Sequence, residues 1–246
     1  MKTSLTIIKA TDASEFSLET LSEAVNYNEF VYDHMRPYLG RRVLELGTGI
    51  GNLTPLFLRG GTNVLAIDID PNLIQIHRGR VGDQPGLTVE CVSLEDITRR
   101  PDLQGTFDSI VSSNVLEHIP DGTVEEVVRA MHVLLKPEGF AVHWVPAFPA
   151  IFGSLDEVFH HCRRYTKASG RKLFESAGFD VLSASYWNMP GFIGWWIYGR
   201  ILRVKSIPRA SALTFDRYMV PILRVLEPML WRPFGQSLLI VARRKS

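Results

Sequence analysis

The chain has 246 residues, 46% apolar and 22% charged, with a net charge of +1. That balance supports a sizeable core and excludes a disordered or low-complexity chain. Two scattered cysteines, Cys91 and Cys162, exclude a disulfide scaffold and suit a reducing cytoplasm.

The first stretch, "MKTSLTIIKATDASEF", lacks a sustained apolar core, so no secretory leader is expected. Apolar residues at helical spacing predict one helix over 17–39, ended near Pro37. "RRVLELG" reads as a short buried strand. "NLTPLFLRGG" reads as a helix stopped by two glycines. "TNVLAIDID" is the next strand and "PNLIQIHRGR" a helix with Pro71 in its first turn. "LTVECV" and "FDSIVSSNV" follow as strands. "TVEEVVRAMHVLLKPEG" follows as a helix closed by Pro137 and Gly139, and "GFAVHWVPA" as a fifth strand. Residues 148–167 have no clean period and read as a structured loop or short helix. "ASGRKLFESAGF" is then helix, "DVLSASYWN" strand, 190–233 mainly helical, and "SLLIVARRK" a last strand.

Alternating strands and helices with short connections imply right-handed crossovers and a mostly parallel sheet covered on both faces. The expected architecture is α/β, doubly wound and seven-stranded, with a helical insertion before the last strand. Residues 1–246 read as one domain.

Residues 185–246 hold ten basic and two acidic residues, net +8, which leaves −7 for the rest of the chain. The same segment carries Trp187, Trp195, Trp196, Tyr198 and Trp231. It reads either as a helical cap or as a surface for peripheral contact with an anionic membrane. No apolar run is long enough to span a bilayer, since "GFIGWWIYG" is broken by Arg200 and Arg203. Nucleic acid is not an expected partner, because the basic charge lies in the tail without a reader motif. No metal site is expected, because the acids and histidines lack a compact ligand spacing.

"VLELGTGIGN", residues 43–52, places three glycines at alternate positions after a buried strand. Such a loop lets the backbone approach a ligand and aims helix N–H groups at it. A dinucleotide site wants G-x-G-x-x-G, but Asn52 stands at the last glycine. Glu45, two residues before Gly47, suits a cationic ligand better than a pyrophosphate. Asp68 ends the second strand, where a carboxylate can accept both hydroxyls of a ribose. "SLEDI" then offers Asp96 or Glu95 to an adenine amino group.

Together "VLELGTGIGN", "LAIDID", "SLEDI", "FDSIVSSNVLEHIPD" and "LLKPEGF" resemble the successive motifs of class I S-adenosylmethionine-dependent methyltransferases. The resemblance implies a Rossmann-like fold, with 27–147 as the cofactor-binding core. It covers the rest more loosely through a D-x4-H-x-R-R-Y element, Asp156 to Tyr165, similar to one in a bacterial subgroup. It implies cofactor contacts from Glu45, Gly47, Thr48, Gly49, Gly51 and Ile69, with Asp68 at the ribose and Asp96 or Glu95 at the adenine. Asn114 would border the methionine end, and Tyr27 and Asn28 would lid the cofactor. Thr48 departs from the commoner Cys or Ala of this loop.

Methyl transfer from a sulfonium needs alignment and exclusion of water, and a base only where the acceptor must lose a proton. His161, Tyr165 and His118 are the catalytic candidates, and Asp156 and Arg164 the acceptor-binding ones. Glu117 pairs with His118 in a connector that reads as either cofactor shell or scaffold. His160, His143 and His132 read as structural or exposed. The expected reaction is methyl transfer to a small-molecule or lipid-linked acceptor, on oxygen. The alternative is a cofactor-binding protein with no transferase activity, or one catalysing another reaction.

Overall fold

A computed structural model describes residues 12–245, with side chains from Leu18 onward. The N-terminal stretch read above as lacking a leader lies largely outside them. Seven strands form one sheet in the order β3-β2-β1-β4-β5-β7-β6. They are β1 (Arg42–Leu46), β2 (Asn63–Asp68), β3 (Leu87–Cys91), β4 (Phe107–Ser113), β5 (Leu135–Pro146), β6 (Phe179–Trp187) and β7 (Ser237–Arg244). The first five run parallel, and β7 enters antiparallel between β5 and β6. The mostly parallel, doubly wound expectation holds.

Alternation along each strand feeds two cores. Leu44 and Leu46 of β1, Ile110 of β4 and Ile240 of β7 pack on one face. They meet α5 (Leu94–Thr98), α6 (Thr123–Leu134) and α8 (Lys167–Glu175) through Ile97, Met131 and Phe174. Val43, Val111, Trp144 and Val241 pack on the other face. They meet α2 (Val25–Met35), α3 (Thr54–Phe57) and α11 (Val220–Leu226) through Phe30, Phe57 and Val220. Glu45 shares the Val43 side of β1, so a carboxyl is delivered to the rim of an apolar layer.

The single helix expected over 17–39 is two helices, α1 (Asp12–Glu23) and α2, broken at Ala24 with ψ 66. The break frees the first N–H groups of α2, and the Asp216 carboxylate accepts from Asn26 and Tyr27 there. The helix expected over 52–61 shrinks to one turn, α3. Gly60 and Gly61 both lie at positive φ beyond it. The helix expected to run to Gly139 stops at Leu134. Leu135 already pairs with Phe107, and the ladder resumes at Ser109 with Phe140. The four skipped residues bulge around Glu138 at φ 65, anchored by Lys136 on Asp108 at 2.5 Å. "LEDIT" adds a turn of helix, α5, capped by Ser93.

Beyond β5, the structured loop or short helix expected over 148–167 contains the short helix α7 (Ser154–Val158). The remaining helix of the first half is α4 (Pro71–Val81). The insertion carries α9 (Met189–Trp195), α10 (Arg209–Thr214) and α11, with π-helical turns at Trp196–Ile201 and Phe215–Met219. Its ends are close together, because Trp187 of β6 pairs with Ser237 of β7. Buried Glu227 accepts from the N–H groups of Asn188 and Met189 at 2.9 and 2.8 Å, fixing the entry to α9.

Candidate active site

A cavity of about 1740 Å³ opens at the C-terminal edge of the parallel strands, roofed by α1, α2 and the insertion. That exceeds the ~300–1,000 Å³ of a single small-ligand pocket and leaves room for two ligands side by side.

One half is built from the turns after β1 and β2. Gly47, Gly49 and Gly51 take φ of 68, 56 and 79, which side chains disfavour. A Cβ on Gly47 would also stand 2.5 Å from Val115 Cγ2, so the turn is closed to larger residues. Gly51 does not line the cavity. A Cβ there would meet Val81 and His77, so this glycine, expected among the cofactor contacts, lets α4 pack close. Glu45, Gly47, Thr48, Gly49, Asp68, Ile69, Glu95, Asp96, Asn114, Tyr27 and Asn28 all reach the cavity wall.

Glu45 is 4% exposed, and burial raises its carboxyl to about 8. Its Oε2 accepts from Thr54 at 2.6 Å, and Thr54 in turn touches Thr48, which reaches buried His77 at 3.0 Å. Asp68 accepts the N–H of Gly49 at 2.9 Å on one oxygen and that of Asp70 at 3.0 Å on the other. A further backbone donor comes from Ile69, and burial raises this carboxyl as well. Asp96 and Glu95 both pair with Arg99, so a base amino group competes with a guanidinium for either acid. Asn114 turns at φ 53 and donates its N–H to Trp144 at 2.8 Å. The Tyr27 hydroxyl accepts from Trp144 Nε1 at 3.2 Å, while Asn28 donates to the Leu21 carbonyl at 2.8 Å.

The other half is built from the turns after β4 and β5. His118 and His161 both face the cavity, their rings edge to face with centroids 4.9 Å apart. Burial and the neighbouring His161 lower His118 to about 4. His161 also falls below its ordinary value through burial, against the pull of Asp156. Both are therefore neutral at neutral pH. Arg164 reaches the wall, but its Nε donates to Asp156 at 2.7 Å and its Nη1 to the Ala147 carbonyl at 2.8 Å.

Two further expected site residues are not on the wall. Asp156 is fully buried and accepts from the Gly153 N–H, His161 Nδ1, Arg164 Nε and Trp195 Nε1 at 2.7–3.0 Å. Burial pushes its carboxyl up, yet the donors and Arg164 hold it below the ordinary carboxylate value. It orients other groups and has no free oxygen face for an acceptor. Tyr165 is 3% exposed and donates its hydroxyl to the Leu116 carbonyl at 3.1 Å, and burial raises it well above 10. It is a core residue tying β5 to the turn after β4, which favours a packing role over the catalytic one expected from sequence. His143 is fully buried against Ser112, as read from its strand.

Sequence reasoning missed three supports. Trp195 delivers the insertion to Asp156, and its ring lies 4.8 Å from the Arg164 guanidinium. Asp216 caps α2. Thr54 and His77 hold Glu45 and Thr48. The fold also brings ligand atoms of Glu117, His118 and His161 within 4.8 Å of one another, a grouping that spacing along the chain does not suggest.

A family model described as a methyltransferase domain matches residues 28–184. Over 114 residues the chain is 37% identical to a "Ubiquinone biosynthesis O-methyltransferase" of Xanthomonas axonopodis pv. citri, covering 45% of each chain. Over 102 residues it is 34% identical to an uncharacterized methyltransferase of Oceanobacillus iheyensis, covering 41% of this chain and 45% of the relative. The chain thus spans about half the length of the curated relatives it matches. Among solved structures, S-adenosylmethionine-dependent methyltransferases of Archaeoglobus fulgidus and Mesorhizobium loti superpose with TM-scores of 0.58 and 0.57 at 19% and 18% identity. The first pairing covers 88% of this chain and 94% of the other, and the second 86% and 96%, which shows the shared fold. With more than half its residues matched by the family model, and a sheet of the class I, S-adenosylmethionine-dependent type, the chain belongs to the methyltransferase domain family.

Proposed function

We propose that the protein transfers the methyl group of S-adenosylmethionine to a hydroxyl oxygen of a small molecule, free or lipid-linked. The carrying observation is the two-ended cavity, with buried carboxyls at one end and neutral imidazoles at the other. Glu45 and Asp68 suit the cationic, sugar-bearing cofactor. A buried carboxyl raised by desolvation is stabilised when ionised beside a positive charge, and the carboxyl of Asp68 at the end of β2 suits a ribose hydroxyl. Tyr27, Asn28, Asn114 and the glycine turn enclose the methionine end, and Asp96 or Glu95 the adenine. On this reading 27–147 binds the cofactor, while 148–167 and 190–233 shape the acceptor side of one domain.

At the other end, the methyl carbon must lie in line between sulfur and the acceptor oxygen. The D-x4-H-x-R-R-Y element then acts as the acceptor-side signature. Asp156 holds the His161 ring and Arg164, and His161 Nε2 takes the hydroxyl proton. His118 forms the wall beside it. The curated relatives named for O-methylation support oxygen as the acceptor atom. The cap exposes Met229 at 80% and Trp231 at 86% among basic residues, which supports peripheral contact with an anionic membrane and a cytoplasmic, membrane-facing enzyme. No helix among the described residues is long and apolar enough to cross a membrane.

Calorimetry with S-adenosylmethionine tests the first half. Wild-type protein binds one equivalent, and Asp68→Ala loses at least tenfold in affinity. Absence of binding by the wild type would end the proposal.

A further inference from the structure

Glu117 lies on a single turn after β4, fully buried, and neither of its carboxyl oxygens has a hydrogen-bond partner. An unpartnered buried carboxyl is costly, and it ionises only where a positive charge comes to sit beside it. Its Oε1 stands 4.0 Å from His161 Nε2, too far for a hydrogen bond, with His118 beside both.

The histidines are set for coordination. Asp156 is held as a carboxylate and can only accept, so its 2.8 Å bond to His161 Nδ1 places the ring proton on Nδ1. That leaves the Nε2 lone pair facing Glu117. A carboxylate behind a histidine, fixing its tautomer, is the usual outer support of a metal-bound imidazole. The His118 ring is held in turn by the His160 backbone. The remaining direction opens into the cavity, which both histidines line.

We propose that Glu117, His118 and His161 form a binding site for a divalent transition-metal ion, with two nitrogens, one carboxylate and an open position toward the acceptor. This donor set suits Zn²⁺, Co²⁺ or Mn²⁺. At metal–ligand lengths of ~2.0–2.1 Å, tetrahedral ligand atoms stand about 3.4 Å apart, so the three groups close by roughly 1 Å on binding. The role of the ion rests on the acceptor reading above. A metal-bound hydroxide takes the hydroxyl proton and leaves as water, and the acceptor oxygen binds in its place. That oxygen attacks the sulfonium methyl carbon, the carbon–sulfur bond breaks, and its electrons return to sulfur. In the metal-loaded protein His161 is a ligand, and the ion replaces it as the means of activating the hydroxyl.

The test uses the full chain stripped with chelator and titrated with Co²⁺ or Zn²⁺ alone. One equivalent of Co²⁺ should bind with the strong visible absorption of a low-coordinate site, and Zn²⁺ should displace it. Glu117→Gln and His161→Ala should each weaken Zn²⁺ at least tenfold while keeping S-adenosylmethionine affinity, which shows them folded. Asp68→Ala should do the reverse. Failure of the wild type to bind either ion stoichiometrically overturns the proposal, as does uptake that survives both site substitutions, which would place it at the exposed cysteines. Loss of the metal site with cofactor binding intact leaves the methyl-transfer reading standing.

Discussion

Tyr27 and Asp216 lie 189 residues apart, yet the Tyr27 backbone N–H donates to the Asp216 carboxylate at 2.7 Å. The Asn26 side-chain amide donates to the same group at 3.2 Å. The insertion therefore supplies the N-terminal cap of α2, the helix that carries Tyr27 and Asn28 to the cavity.

Asp216→Ala should cost about 1–2 kcal/mol, as lost helix caps do. For a chain of this size the melting temperature should fall by about 2–8 °C. Cofactor affinity should fall with it, and thermal denaturation with and without cofactor separates the two effects. An unchanged melting temperature would show that α2 does not depend on the insertion.

Cofactor binding should release protons near neutrality. Folding raises the Glu45 carboxyl from 4.5 to about 8, so the free protein holds a proton there across that range and the unfolded chain does not. The stability contributed by that proton is full below pH 4.5 and lost as pH rises through about 8. Glu117 behaves in the same direction. A sulfonium beside Glu45 favours its ionised form, so affinity should rise with pH toward 8. Calorimetry at pH 7 in buffers of different ionisation enthalpy reads the released proton directly.

His161→Ala should lower kcat by about 10²–10⁴-fold, the usual contribution of a positioned acid–base group, with cofactor affinity unchanged. The acid limb of the wild-type rate profile should lie below 6.5, because burial lowers this imidazole. Asp156→Ala should be worse for folding. It leaves the buried Arg164 guanidinium without its partner, a loss of about 3–5 kcal/mol.

Tyr165→Phe should cost about 1 kcal/mol through the lost hydrogen bond to the Leu116 carbonyl. Turnover at temperatures well below unfolding should change little. A hundredfold loss of kcat would restore a catalytic role to the hydroxyl.

Flotation with anionic vesicles should carry the wild-type protein upward at low salt and less so at high salt. Paired Met229→Asp and Trp231→Asp substitutions should abolish it without altering cofactor affinity. Protein that stays in the dense fraction at low salt would leave the insertion as a cap alone.

The first half of the chain was largely legible because its signals are local. Strand periodicity, the glycine turn and the acid at the end of β2 are each set within a few residues. Expectations failed where a distant partner overrides local preference. Ala24 does not look like a helix break until Asp216 arrives from the other end of the chain. Leu135 continues an amphipathic helix by pattern, but pairing with Phe107 in β4 takes it into the sheet. Asp156 and Tyr165 are polar residues in a loop, the usual appearance of site residues. Only the packing shows that one is saturated with four donors and the other sunk in the core. The Glu117–His118–His161 grouping was invisible for the same reason, since two loops 43 residues apart must meet to form it.

The pairing of Trp187 with Ser237 closes the insertion at its root, so everything from Asn188 to Gln236 leaves and re-enters at neighbouring strands. Loop-closure entropy grows only slowly with length, so this excursion can be rebuilt or exchanged at little cost to the sheet beneath it. Such a layout lets the roof of the cavity drift as a cassette while the glycine turn and strand ends beneath it stay put. The clasps at Asp216, Trp195 and Glu227 are among the joints that any replacement has to reproduce.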